Sequence, residues 1–90
     1  MGIVKNIVNE PKKNIIGHKL RILRTQKGIS QTDLSRWLKD CGIPIENTAL
    51  CKVESGKRGV SDYELFGIAQ CLNIPVGSMF DDEYIGGQLI

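Results

Sequence analysis

The chain has 90 residues, of which 41% are hydrophobic and 24% are charged, a composition typical of one small globular domain. At this length only about 60–65% of the unfolded chain's surface can be buried, so one modest core is expected. The apolar runs are far shorter than the roughly 20 residues that span a bilayer. Lys5 and Asn6 interrupt the apolar N-terminus, so no signal peptide and no membrane segment are predicted.

The three cysteines, Cys41, Cys51 and Cys71, form no CxxC pair, and His18 is the lone histidine. This pattern argues against a zinc site and against a disulfide framework, and it favours a reducing cytoplasm. The sequence shows no nucleophile for which His18 would be the matching base, and it contains no Gly-rich phosphate loop. The sequence therefore predicts no enzyme, no metal and no cofactor.

The charge is divided unevenly along the chain. Residues 1–58 carry 12 Lys and Arg against 5 acids, a net +7, whereas residues 59–90 carry 5 acids and no Lys or Arg, a net −5. A basic face for a polyanion and an acidic face turned away from it are the expected consequence. The alternative is a solvated surface whose charges are sorted by chance.

Apolar periodicity predicts short helices throughout the body of the chain. Residues 1–14 are interpreted as an N-terminal arm because Pro11 and its polar neighbours break the pattern. Helix one is predicted at about Ile16–Lys27, with Gly28 as its stop, and helix two at about Gln31–Lys39, with Ser30 as its cap.

The second half of the chain continues this pattern. A third helix is expected after Asn47, which is a candidate cap, and it should end near Ser55. A capping box at Ser61–Glu64 opens a fourth helix, and residues 76–80 are expected to form a short fifth helix. The prediction is an all-α bundle of five short helices at residues 15–80, with an acidic tail at residues 81–90.

Two stretches, "IGHKLRILRTQKGISQTDLSRWL" and "ALCKVESGKRGVSDYELFGIAQCLNIPVGSMF", resemble the Cro/phage-repressor (lambda-repressor-like, XRE-type) helix-turn-helix domain. The resemblance covers roughly residues 15–80. It implies a DNA-binding transcriptional regulator, expected to be a repressor of bacterial or phage origin, whose third helix enters the major groove while helix two crosses the backbone. It also implies that Arg24 and Glu54 pair and brace helix one against the end of helix three.

Candidate DNA contacts follow from this placement. Leu50 and Val53 are expected to face inward, so the outward side chains of helix three are the predicted base contacts: Asn47, Thr48, Cys51 and Lys52. Asn and Lys can pair with base edges, and a Thr methyl can touch thymine. Helix N-termini and loop cations bind phosphate, so the predicted phosphate contacts are Gln31, Ser55, Lys57 and Arg58. Several alternatives stay open: Gln31 as a plain helix-start residue, Thr48 as a cap, Lys57 and Arg58 as solvated charges, and Cys51 as a small packing side chain or a redox-sensitive thiol.

The connection between helices two and three is longer than the family pattern. About seven steps are usual between the positions of Leu38 and Leu50, so the twelve steps here correspond to roughly five extra residues. Ile43 and Ile45 flank Pro44 and are expected to anchor this enlarged turn on the domain. The sequence leaves open whether Glu46 or Asn47 begins helix three, and a Glu46 close to phosphate would repel it.

The leading hypothesis is thus a sequence-specific regulator of double-stranded DNA. Because one such domain has a small interface, a homodimer on a two-fold site is expected, with candidate contacts at Met79–Phe80, residues 84–90 or residues 3–8. The alternative is a protein-interaction module, such as an antitoxin or adaptor, that binds a partner protein through Trp37, Tyr63 or the acidic half.

Overall fold

The computed structural model describes residues 12–80, and this range is helical without any β-strand. Four α-helices follow one another, α1 (Gly17–Gln26), α2 (Gln31–Asp40), α3 (Asn47–Glu54) and α4 (Asp62–Leu72), and a 3₁₀ helix occupies Val76–Met79. The all-α prediction is confirmed. No helix within residues 12–80 is long and apolar enough to cross a bilayer.

The predicted fifth helix is wrong in type, because residues 76–79 form a single 3₁₀ turn and the described chain has four α-helices rather than five. Pro75 precedes this turn without a backbone N–H, and Gly77 within it is a poor helix former. Four residues are a typical length for a 3₁₀ segment. The predicted arm is described only from Lys12 onward, and the acidic tail at residues 81–90 lies outside the described residues.

The predicted helix boundaries rest on local hydrogen bonds that are present. The Ser30 hydroxyl accepts from the Asp33 N–H at 3.0 Å, and Ser61 and Glu64 form a complete capping box at α4. A cap of this kind contributes roughly 0.5–2 kcal/mol. Gly28 has φ +71° just after α1, as expected for the left-handed residue that ends a helix.

One core joins all four helices. Its largest members are completely buried, and removing such side chains from water contributes about 1.5–3 kcal/mol each. These side chains come from every helix and from the enlarged turn: Leu20, Leu34, Leu38, Ile45, Leu50, Val53, Ile68, Leu72 and Met79.

The enlarged turn between α2 and α3 packs on the domain through both predicted anchors. Ile43 is 7% exposed and Ile45 is 1% exposed. The Ile43 side chain lies against Gly67 of α4, where any Cβ would collide with it. The Ser35 hydroxyl on α2 donates to the Ile45 carbonyl at 2.6 Å. The extra residues therefore extend the turn without displacing α3 from the core.

Helix α3 begins at Asn47, with Glu46 in extended conformation at the N-cap position. The prediction of Asn47 as a capping residue is wrong. Its side chain instead reaches across to α2, and the Asn47 Nδ2 donates to the Thr32 hydroxyl at 2.9 Å. The anchored turn fixes where the chain enters α3, and this entry leaves Asn47 one position inside the helix.

Candidate functional site

The four residues predicted to contact bases all lie exposed on α3: Asn47, Thr48, Cys51 and Lys52. Leu50 and Val53 on the other side of the helix are completely buried. This division follows from the 100° rotation per residue of an α-helix, and it leaves one side of α3 free of contacts with the core.

Asn47 is held in place by α2. Its hydrogen bond to Thr32 joins the first turn of α3 to the first turn of α2. An Asn amide has two N–H donors and one carbonyl acceptor, so this bond leaves an N–H and the carbonyl oxygen for another molecule. The two helix starts are thereby linked at the molecular surface.

Gln31 has an intramolecular partner. Its Nε2 donates to the Glu54 Oε1 at 3.0 Å, and its side chain is half-buried. This hydrogen bond uses one N–H group of the Gln31 amide within the protein and ties the first residue of α2 to the end of α3.

The same carboxylate binds Arg24 of α1. The Arg24 Nε lies 2.6 Å from Glu54 Oε2, and its Nη2 donates to Oε1 at 3.1 Å. Both residues are buried, with 8% and 9% exposure. The pairing implied by the family resemblance is thus present in the structure, where Glu54 meets side chains from α1 and α2 at the end of α3.

A basic groove runs beside the exposed side of α3, with a volume of about 710 Å³. It contains the predicted contacts Thr48, Lys52, Lys57 and Arg58. The full lining consists of Lys13, Pro44, Glu46, Thr48, Ala49, Lys52, Lys57, Arg58 and Gly59. Lys13 was missed by sequence analysis because it lies in the segment interpreted as an arm, and no sequence pattern relates it to α3.

Among the groove cations, Arg58 has an ionic partner within residues 12–80. Its guanidinium donates to both carboxylate oxygens of Glu64 on α4, at 3.2 Å and 3.0 Å. The hydrogen bond from Arg58 holds the pKa of Glu64 below its usual value, against the opposing effect of burial. Two N–H groups of the Arg58 guanidinium are thereby used within the protein.

Ser55, another predicted phosphate contact, is exposed and donates from its hydroxyl to the Lys52 carbonyl at 3.2 Å.

Glu46 lies between two grooves. Together with Pro44 it lines both the basic groove and a second groove of about 410 Å³. The second groove includes Arg36 and Lys39 of α2. The enlarged turn thus places an exposed carboxylate between two groups of cations.

The three cysteines differ in exposure. Cys41 and Cys51 are exposed and Cys71 is half-buried, all as free thiols. Burial raises the pKa of the Cys71 thiol to about 11, with a smaller contribution from the neighbouring Cys41. The raised pKa favours the protonated thiol of Cys71 at neutral pH.

Apolar side chains are exposed on α4. Tyr63 is 67% exposed and Phe66 is 52% exposed. Phe66 also lines a groove of about 470 Å³ with Ile74 and Val76. Met79, one of the predicted contact residues between subunits, has no exposed surface, so that part of the prediction is wrong.

Several solved structures are similar to this chain, including the following three. The restriction-modification controller protein C.AhdI from Aeromonas hydrophila is 34% identical, and the match covers 72% of this chain and 91% of that protein with a TM-score of 0.63. The DNA-binding domain of BldD is 24% identical, covering 78% and 94% with a TM-score of 0.62. The hypothetical transcription factor NHTF from Neisseria is 20% identical, covering 89% and 86% with a TM-score of 0.66. The last two likenesses show the fold alone; no family model and no curated protein sequence matches the chain.

Proposed function

This chain belongs to the XRE/Cro type of helix-turn-helix transcription regulators, and we propose that it is a sequence-specific regulator of double-stranded DNA. The observation that carries the proposal is the exposed side of α3, which presents Asn47, Thr48, Cys51 and Lys52 next to a basic groove. The similarity to a restriction-modification controller protein supports it.

In the proposed complex α3 enters the major groove and α2 lies across the backbone, as in other helix-turn-helix proteins. Lys52 pairs with guanine O6 and N7, and the remaining amide groups of Asn47 pair with adenine. The hydrogen bond from Asn47 to Thr32 fixes the orientation of this amide before DNA arrives. Thr48 and Cys51 contact base edges by their small side chains.

Phosphate contacts hold the domain in register without selecting a sequence. Lys57, Ser55 and Arg58 follow α3 directly, and the first turn of α2 with Gln31 offers backbone N–H groups to a phosphate. Arg58 shares its guanidinium with Glu64, so we assign it a weaker contact than Lys57. We propose repression, in which the bound domain excludes other proteins from the same site.

We propose a homodimer, because one domain offers an interface of only about 600–1,000 Å². Tyr63 and Phe66 are the exposed aromatic side chains of α4, and Phe66 lines with Ile74 and Val76 an apolar groove suited to a second copy. Sedimentation of the wild-type chain and of Phe66→Glu tests this assignment. A dimer that persists in the variant contradicts it.

The same apolar surface favours a second candidate function, a protein-interaction module in which another protein occupies α4. Salt dependence of DNA binding distinguishes the two functions. Several phosphate contacts predict that affinity for duplex DNA falls at least about tenfold between 50 and 200 mM salt. Weak binding to any duplex, flat over this range, would contradict the DNA-binding proposal and support the alternative.

A further inference from the structure

The segment before α1 lies directly on the exit of α3. The Lys13 backbone N–H donates to the Gly56 carbonyl at 2.8 Å. The Lys12 side-chain carbons lie over Gly56, so close that a Cβ at that position would be only 3.2 Å from them. Gly56 itself has φ +80°. The residues that precede helix α1 are thus part of the surface that contains Lys57.

Asn14 ties this segment in place with four hydrogen bonds. Its Oδ1 accepts from the N–H groups of Ile16 at 3.0 Å and Gly17 at 2.7 Å, at the start of α1. Its Nδ2 donates to the Val53 carbonyl at 3.0 Å and to the Arg58 carbonyl at 2.7 Å. One side chain therefore joins the beginning of α1, the last turn of α3 and the loop that follows it.

This attachment brings Lys13 to the basic groove, which it lines together with Lys52 and Lys57. None of these three lysines forms an ion pair with a carboxylate of residues 12–80, whereas Arg58 pairs with Glu64. Three ammonium groups around one groove repel each other, and a bound polyanion relieves that repulsion. Glu46 also lines the groove, so one carboxylate faces four cations, Lys13, Lys52, Lys57 and Arg58, and an excess of positive charge remains.

We propose that Lys13 binds a DNA phosphate beside Lys57 and that Asn14 is the positioning residue that holds it there. This inference rests on the proposed function and adds a contact from outside the helix-turn-helix motif itself. Asn14 acts through the backbone of Lys13, since its own amide is fully engaged within the protein. The segment before α1 thereby extends the phosphate contacts made by the loop after α3.

The direct test is the salt dependence of duplex binding by Lys13→Gln, with Lys12→Gln as a matched control. Both variants lose one charge at adjacent positions, but the Lys12 side chain lies on Gly56 and does not line the groove. Losing one phosphate contact makes the slope of log affinity against log salt less negative by about 0.9, so the affinity loss between 50 and 200 mM salt becomes about threefold smaller. We expect this change in Lys13→Gln, little change in Lys12→Gln, and the wild-type slope in Lys13→Arg.

A second variant tests the positioning role. Asn14→Ser keeps a capping oxygen for α1 but has no amide to donate to Val53 and Arg58. We expect it to reduce the salt slope as Lys13→Gln does, and the double variant to show no greater reduction than either single one, as expected for residues that act as a unit.

The outcomes separate this inference from the proposed function. A wild-type chain with flat salt dependence would overturn both. A steep wild-type slope that Lys13→Gln leaves unchanged, or that both lysine variants reduce equally, would overturn only the Lys13 contact. Additive effects in the double variant would overturn the role of Asn14.

Discussion

Arg24 of α1 and Glu54 of α3 form a buried ion pair, with 2.6 Å between the Arg24 Nε and Glu54 Oε2. Arg24 also donates from Nη1 to the Ile29 carbonyl at 2.7 Å, in the connection between α1 and α2. The carboxylate lies at the C-terminal end of α3, where the helix dipole disfavours negative charge, and the guanidinium offsets this. The pair thus fixes the end of the proposed recognition helix against its neighbours.

Removing one partner leaves the other charged and buried. We therefore expect Glu54→Ala to lower the free energy of unfolding by about 3–5 kcal/mol, with an added loss because Gln31 has lost its acceptor. Urea unfolding measures this change. Arg36→Ala is the control, since it breaks an exposed pair with Asp33 at 3.6 Å and should cost at most about 1 kcal/mol. Equal costs for the two variants would contradict the bracing role of Glu54.

Two glycines allow close approach between elements, and alanine there should destabilise the fold. A Cβ at Gly17 would collide with the Val53 backbone carbonyl, and one at Gly67 would collide with the tip of Ile43. Overpacking typically costs about 1–3 kcal/mol. Because backbone yields less readily than a side-chain tip, Gly17→Ala should be the more harmful.

Thermal unfolding of both variants checks this order. Gly77→Ala is the control, because no atom of residues 12–80 lies within 4 Å of a Cβ there, and its Tm should stay close to that of the wild-type chain. Gly67→Ala should regain stability when Ile43 is shortened to Val. A Gly17→Ala variant as stable as Gly77→Ala would show that α1 and α3 do not approach as closely as described.

The ion pair between Arg58 and Glu64 should make stability depend on pH. The pKa of Glu64 is lowered in the folded protein from the ordinary value of 4.5, so the folded state favours the ionised carboxylate. The resulting stabilisation is fully present above the unfolded value and is lost as pH falls through the lower folded pKa. The difference in unfolding free energy between the wild-type chain and Glu64→Gln should therefore be constant from pH 7 to about 5 and shrink below about 4.5. Urea unfolding at pH 7, 5, 4 and 3 measures it, and a constant difference down to pH 3 would contradict the pairing.

Local signals in the sequence were sufficient for much of the fold. Ser30, the Ser61–Glu64 box and Gly28 mark helix ends through neighbouring residues, and all three predictions are confirmed. Ile43 and Ile45 were correctly predicted as anchors, since two buried aliphatic side chains around a proline indicate a packed turn.

Contacts between distant residues were not accessible in this way. Asn14 binds carbonyls 39 and 44 positions away, so the segment assigned to an arm turned out to carry a residue bound to the domain. The ion pair between Arg58 and Glu64 depends on how α4 packs. The hydrogen bond from Asn47 to Thr32 depends on the position at which the enlarged turn leads into α3. Each of these partners was set by tertiary packing rather than by local sequence.

The central claim is that α3 selects DNA sequence while the residues after it bind phosphate. The most direct test first selects a preferred duplex from random sequences with the wild-type chain. The binding affinities of Lys52→Ala and Lys57→Ala are then measured for that duplex, for its single-base variants and for a scrambled duplex. Lys52→Ala should cost roughly 1–3 kcal/mol on the preferred duplex and relax selection at one base pair, whereas Lys57→Ala should weaken all duplexes alike and lower the salt slope by about 1. Two variants that behave identically on preferred and scrambled DNA would contradict the assignment of α3 as the recognition helix.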